Sequence, residues 1–143
     1  MYKLPDGQLD IFTLIHPLED MLDSGNRWVV RAKQTPWEEL EQRIAPKLYS
    51  SRGAPAKPLR MMLGAMIIGD FLNVSDAETV RQIQENPYLQ YFIGLPEFTH
   101  EVVFAPLSLT LFRRRITPQI QKEIRQIMKT AAMDESAAEN ENE

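Results

Sequence analysis

Apolar residues recur at three- and four-residue spacing through most of the chain, most plainly at Ile120, Ile124, Ile127, Met128 and Ala131. That spacing predicts a helix buried along one side, with Thr117 as its cap and Pro118 at the first position, where no N–H is needed. A shorter helix from about Leu107 to Ile116 would bury Leu109, Phe112 and Ile116. Thr35-Pro36-Trp37-Glu38 carries a capping signal, opening a helix to about Ala45 with Trp37, Leu40 and Ile44 on one side. Pro58 opens another through about Leu72. Only Arg60 and Asp70 are charged between Leu59 and Leu72, so this helix should be buried nearly all round. Gly64 and Gly69 within it either permit close helix contact or are simply tolerated.

Ser75-Asp76-Ala77-Glu78 is a second capping box, ahead of a helix with Val80 and Ile83 facing inward. Asn86-Pro87 ends it, and Tyr88 to Ile93 follows as a short apolar turn or helix closed by Gly94 and Pro96, its aromatics read as core. Pro17 starts a short helix to about Asp23, stopped by Ser24-Gly25-Asn26. Trp28-Val29-Val30 has no period and receives no assignment. Residues 1–16 read as irregular, 50–57 as a loop, and 97–106 as a loop with an extended piece at Val102-Val103-Phe104. The expectation is an all-α bundle of about six helices spanning residues 1–133, including a helix-turn-helix-like unit. Residues 134–143, small, polar and acidic, read as a disordered tail.

A chain of 143 residues with 43% hydrophobic and 25% charged residues fits one globular domain. There is no cysteine, which excludes disulfides and thiolate metal sites. No apolar run reaches the length of a membrane span, and the first residues lack a secretory signal. A cytoplasmic protein with no membrane partner is expected. The net charge of −4 hides an asymmetry. Asp134, Glu135, Glu139, Glu141 and Glu143 crowd the last ten residues without a base; without them the charge would be +1. Just before them, Arg113, Arg114, Arg115, Lys122, Arg125 and Lys129 face a single acid, Glu123. A basic segment ahead of an acidic tail suggests contact with a polyanion, although two solvated faces would look the same.

Other chemistry finds little support. His16 and His100 stand apart without a paired ligand spacing, the acids at 38, 39 and 41 suit the first turns of a helix, and no phosphate-binding loop or nucleophile elbow is present. The chain is not expected to be an enzyme by itself, nor to bind a cofactor or small-molecule substrate. The segment from Pro58 to Ile116 offers more. Successive short helices end in one that carries Arg113, Arg114 and Arg115, the logic of a helix presented to the major groove, and an arginine fork binds phosphate or guanine at two points. Ser108 and Thr110 lie near that helix's start. Lys57, Arg60, Lys122, Arg125 and Lys129 are secondary phosphate contacts, although Arg60 would equally suit a buried ion pair. An alternative leaves the basic face unused and packs the Ile120 to Ala131 stripe against another subunit, as a homodimer or interaction module.

At this level of detail the chain resembles the N-terminal region of bacterial insertion-sequence transposases of the DDE class. The resemblance runs through Ala56 to Ile68, Leu72 to Val80, Gln82 to Leu95, and Phe112-Arg113-Arg114-Arg115-Ile116, with Asn26-Arg27-Trp28-Val29 and Pro36-Trp37 also in place. It implies binding of double-stranded DNA at the terminal inverted repeats of a mobile element during transposition. It also implies that cutting belongs to a separate domain in which three carboxylates hold two Mg²⁺ ions. No residue here matches the first of those carboxylates, so no catalytic residue is carried over. One departure stands out: the family's Asp-Pro-Ser ahead of the arginine-bearing helix is Ala105-Pro106-Leu107-Ser108 here. Either Ser108 caps a helix that starts later, or the sequence is an inactive remnant of a decaying element.

Overall fold

The most apolar helix lies at the centre. In the computed structural model, which describes residues 17–48 and 57–141, α4 (Leu59–Leu72) buries Leu59, Met62, Leu63, Ala65, Met66 and Ile68. It packs against α3 (Trp37–Leu48), α5 (Asp76–Glu85) and α7 (Pro106–Arg115). Gly69 permits the close approach of α5 and α7, and Gly64 that of Phe92 and Ile93. A Cβ on Gly64 would lie 3.2 Å from Ile93 Cγ2, and one on Gly69 would lie 2.6 Å from Thr79 Oγ1.

Around this centre, α6 (Pro87–Phe92) packs on α5 and on α2 (Arg27–Gln34), and α1 (Leu18–Met21) touches α6. Trp28 of α2 meets Phe71 and Phe92 edge-on, with ring centroids 5.3 and 5.1 Å apart. The Trp28 segment, unassigned from sequence, is therefore helical. Asn26 caps it by accepting from the Trp28 amide at 2.8 Å, and Trp28, Val29 and Ala32 face inward. The aromatics of 88–93 serve the core as expected: Phe92 is buried, and Tyr88 and Tyr91 pack half-buried against the core.

Gln90 is fully buried and holds the segment after α6. Its amide nitrogen donates to the carbonyls of Ile83, Gln84 and Thr99, and its oxygen accepts from the Thr99 amide. Every hydrogen-bonding group of that side chain is thereby matched, as burial requires.

The last helix, α8 (Pro118–Glu141), packs on α3. Ile124 and Ile127 are buried there, with Ile120 and Met128 beside them. The apolar stripe that would have suited a second subunit is thus filled within the chain.

The eight helices among the described residues make an all-α fold, and no strand occurs among those residues, so Val102 to Phe104 is irregular. One expectation changes. The helix does not stop at Met133 but runs to Glu141 through Ala131, Ala132, Ala137 and Ala138, residues of the highest helix propensity. Residues 132–139 are exposed throughout, so this extension stands on local propensity and not on core contacts. A loop precedes the basic helix, as expected at 97–106, so no tight turn joins that helix to its predecessor. The short turn is Asn73–Ser75 between α4 and α5, with Asn73 left-handed at φ 57°, whereas residues 93–105 separate α6 from α7. The expected irregular start at 1–16 and most of the loop at 50–57 fall outside the described residues.

Candidate nucleic-acid interface

The α7 helix begins as its sequence allows. Ala105 occupies the cap position without a side-chain bond, Pro106 fills the first position, and Ser108 lies inside the helix and does not cap it. Leu109 and Phe112 are buried beneath. Two polar side chains on the same inner half meet acids at the α4–α5 corner. The Thr110 hydroxyl donates to Asp76 Oδ2 at 2.8 Å. Arg113 Nε donates to Asp76 Oδ1, and its Nη1 to Asp70 Oδ1, both at 2.8 Å. Burial works against the charge of Arg113, but the hydrogen bonds and charges of Asp70 and Asp76 outweigh it and hold the guanidinium above its ordinary value. Charge-assisted bonds of this length are among the stronger ones in proteins. They fix α7 along its axis and in rotation.

The ten positions expected to contact DNA therefore separate into groups. Thr110 and Arg113 face the protein. Arg60 does so too: its Nε and Nη2 donate to the carbonyls of Phe92 and Tyr91 at 3.0 Å, and its guanidinium lies 4.9 Å from the Trp37 ring. The ion pair considered for Arg60 is in fact a tie to the carbonyl end of α6, where a cation is favoured; burial lowers its pKa. Lys57 is half-buried just ahead of α4. It and Arg60 lie at the opposite end of that helix from Asp70, about 15 Å away at 1.5 Å per residue. Ser108 is half-buried on α7.

Five of the ten remain exposed and form no ion pair among the described residues: Arg114, Arg115, Lys122, Arg125 and Lys129. Only Ile116 and Thr117 separate the two helices that carry them, and Thr117 caps α8 by accepting from the Ile120 amide at 3.2 Å. Residues step about 100° around a helix, which places Lys122, Arg125 and Lys129 opposite the buried Ile124 and Ile127. The single acid of this stretch does not neutralise the ridge. Glu123 bonds Lys47 of α3 and lies 3.6 Å from Arg43. The Lys47 hydrogen bond, helped by the charges of Lys47 and Arg43, holds its carboxyl below the usual range against the opposing effect of burial.

Sequence reasoning missed three things here. Asp70 and Asp76 are the clamp on α7, although sequence alone places Asp76 only in the capping box of its own helix. Leu107 and Leu111 are exposed on α7, which helical spacing relative to Leu109 and Phe112 would have revealed. Arg31 stacks over Phe71 at 4.1 Å, a contact between helices that no local pattern announces. Among the described residues no group of three or more acidic or histidine side chains is placed to hold a metal ion. No helix among them is long and apolar enough to cross a membrane.

Comparison with known proteins adds the family. A protein from Rhizobium meliloti, described as uncharacterized protein ORF8 in the nfe locus, is 29% identical over 136 residues, covering 95% of this chain. The chain spans 64% of that relative's length. No solved structure matches. Residues 16–115 match the family described as Transposase domain (DUF772), a stretch that takes in α1 to α7 and ends on the arginine run. With well over half of its length matched, the chain belongs to this transposase-domain family.

Proposed function

We infer that this chain is the DNA-binding part of a DDE-class insertion-sequence transposase and that it grips the terminal inverted repeats of its element. The observation that carries the reading is the set of five exposed cations, with no ion pair among the described residues, on the end of α7 and the outer face of α8. Side chains of this kind bind phosphate oxygens and release condensed counterions, which supplies most sequence-independent affinity. Held by its clamp, α7 is the element to present to the groove, while Lys122, Arg125 and Lys129 follow the flanking backbone. Thr110 and Arg113 then aim the helix without touching DNA. Lys57 and Arg60, at the far end of α4, take no part. Strand cutting and its Mg²⁺ chemistry are assigned to a separate domain.

The test uses duplexes copied from the ends of the element and shuffled controls, followed by fluorescence anisotropy. Tighter binding of the end sequences is expected, with Arg114→Ala/Arg115→Ala weakening all duplexes and leaving helicity unchanged. Absence of binding to any duplex at low salt, or an unaffected double variant, would refute the reading.

A further inference from the structure

The outward face of α7 carries two leucines as well as arginines. Leu107 is 62% exposed and Leu111 45% exposed, one helical turn apart and on the side away from buried Leu109 and Phe112. At 100° per residue, Arg114 and Arg115 fall on either side of this apolar line at its C-terminal end. No acid occurs anywhere in α7, and the two that its side chains bond, Asp70 and Asp76, are engaged by Arg113 and Thr110. The outer face is therefore an apolar ridge flanked by exposed positive charge, and the clamp holds it outward.

We propose that Leu107 and Leu111 form a ridge that reads the 5-methyl groups of two thymines in the major groove of DNA. This rests on the DNA-binding reading above and adds what the helix recognises. The charge decides the class of partner, since a ridge flanked by exposed arginines suits a polyanion. The chemistry decides the base. Thymine alone presents a methyl group in the major groove, where the other bases offer donors and acceptors that leucine cannot satisfy. Leucine thus gains at thymine, and burying any other base edge beneath it leaves polar groups unmatched. The spacing agrees: one turn of four residues rises about 6 Å, and two base-pair steps rise about 6.8 Å. The two leucines would rest on thymines two base pairs apart, with Arg114 and Arg115 reaching the backbones on each side.

Deoxyuridine removes that methyl and leaves the hydrogen-bonding edge unchanged, which makes the idea directly testable. The full chain is titrated with an alternating d(A-T) duplex and with the same duplex carrying uracil for thymine. In alternating sequence, thymines recur every second base pair on each strand. Burial of one methyl corresponds to about a fourfold change in affinity, and of two to about fifteenfold, so the uracil duplex should bind four- to fifteenfold more weakly. Leu107→Ala/Leu111→Ala should bind both duplexes alike, near the wild-type affinity for the uracil duplex. Equal and tight wild-type binding to both duplexes would overturn the methyl reading and leave DNA binding standing. Discrimination that survives in the double variant would also overturn it. Failure to bind either duplex would overturn both proposals. Sedimentation of the free protein supplies the last arm: a wild-type dimer that the double variant dissociates would make the ridge a subunit contact, contrary to the proposal.

Discussion

Gly69 shows how much one missing methyl group decides. Its Cα lies so close to α5 that a Cβ would approach Thr79 Oγ1 to 2.6 Å and Arg113 Nη2 to 3.0 Å. Thr79 cannot yield easily, because it is fully buried and its hydroxyl donates to the Ser75 carbonyl at 2.8 Å. Alanine would gain about 1 kcal/mol in helix propensity, but overpacking of a tight contact costs about 1–3 kcal/mol. Gly69→Ala is therefore expected to lower stability by up to about 2 kcal/mol. Gly64→Ala, whose Cβ would lie 3.2 Å from the branch methyl of Ile93 and 3.4 Å from its Cα, should cost less than Gly69→Ala. Urea midpoints of the two variants check this; a more costly Gly64→Ala would contradict the packing described. At this scale the sequence announces the polar–apolar sorting but not the partners. The Asp76–Arg113 and Asp70–Arg113 bonds join residues 37 and 43 positions apart. An exposed-looking arginine run gives no sign of which member turns inward.

Among the elements, α8 is where local and tertiary signals meet. Its apolar stripe and Thr117-Pro118 start are plain in the sequence, and so is the basic line opposite. Where it ends is not, because the alanines after Thr130 favour helix while the acids suggest a tail. Its attachment to α3 includes the Glu123 bridge to Lys47 and Arg43. With the folded pKa of Glu123 held below the ordinary 4.5, the stabilisation is present above the unfolded value and lost as pH falls through the folded one. Exposed pairs contribute little, so the effect should be small and salt-sensitive. Glu123→Gln is expected to be less stable than wild type at neutral pH, with the gap closing in acid. Thermal unfolding of both proteins across that range measures it, and a gap independent of pH would contradict the bridge. The α2 helix was hidden for a different reason. Adjacent Trp28, Val29 and Val30 blur the helical period, and β-branched residues are weak helix formers; the Asn26 cap and the contact with Phe92 make the helix.

For the whole molecule, the all-α class and a buried α4 were legible because capping boxes and apolar spacing are local. The order in which helices meet was not. Packing of α7 against α4 and α5, across residues 93–105, depends on contacts far apart in the chain. The same distinction governs the interface: the sequence marks six bases between Ser108 and Lys129, and only the packing separates Arg113 from the five that face water. The salt dependence of duplex binding tests that set most directly. Five phosphate contacts predict a slope of about −4.5 in log affinity against log salt, a fall of two to three orders of magnitude between 50 and 200 mM. Replacing Lys122, Arg125 and Lys129 together by alanine should flatten the slope to about −1.8, whereas a slope near zero in the wild-type chain, or one unchanged by the replacement, would contradict the account.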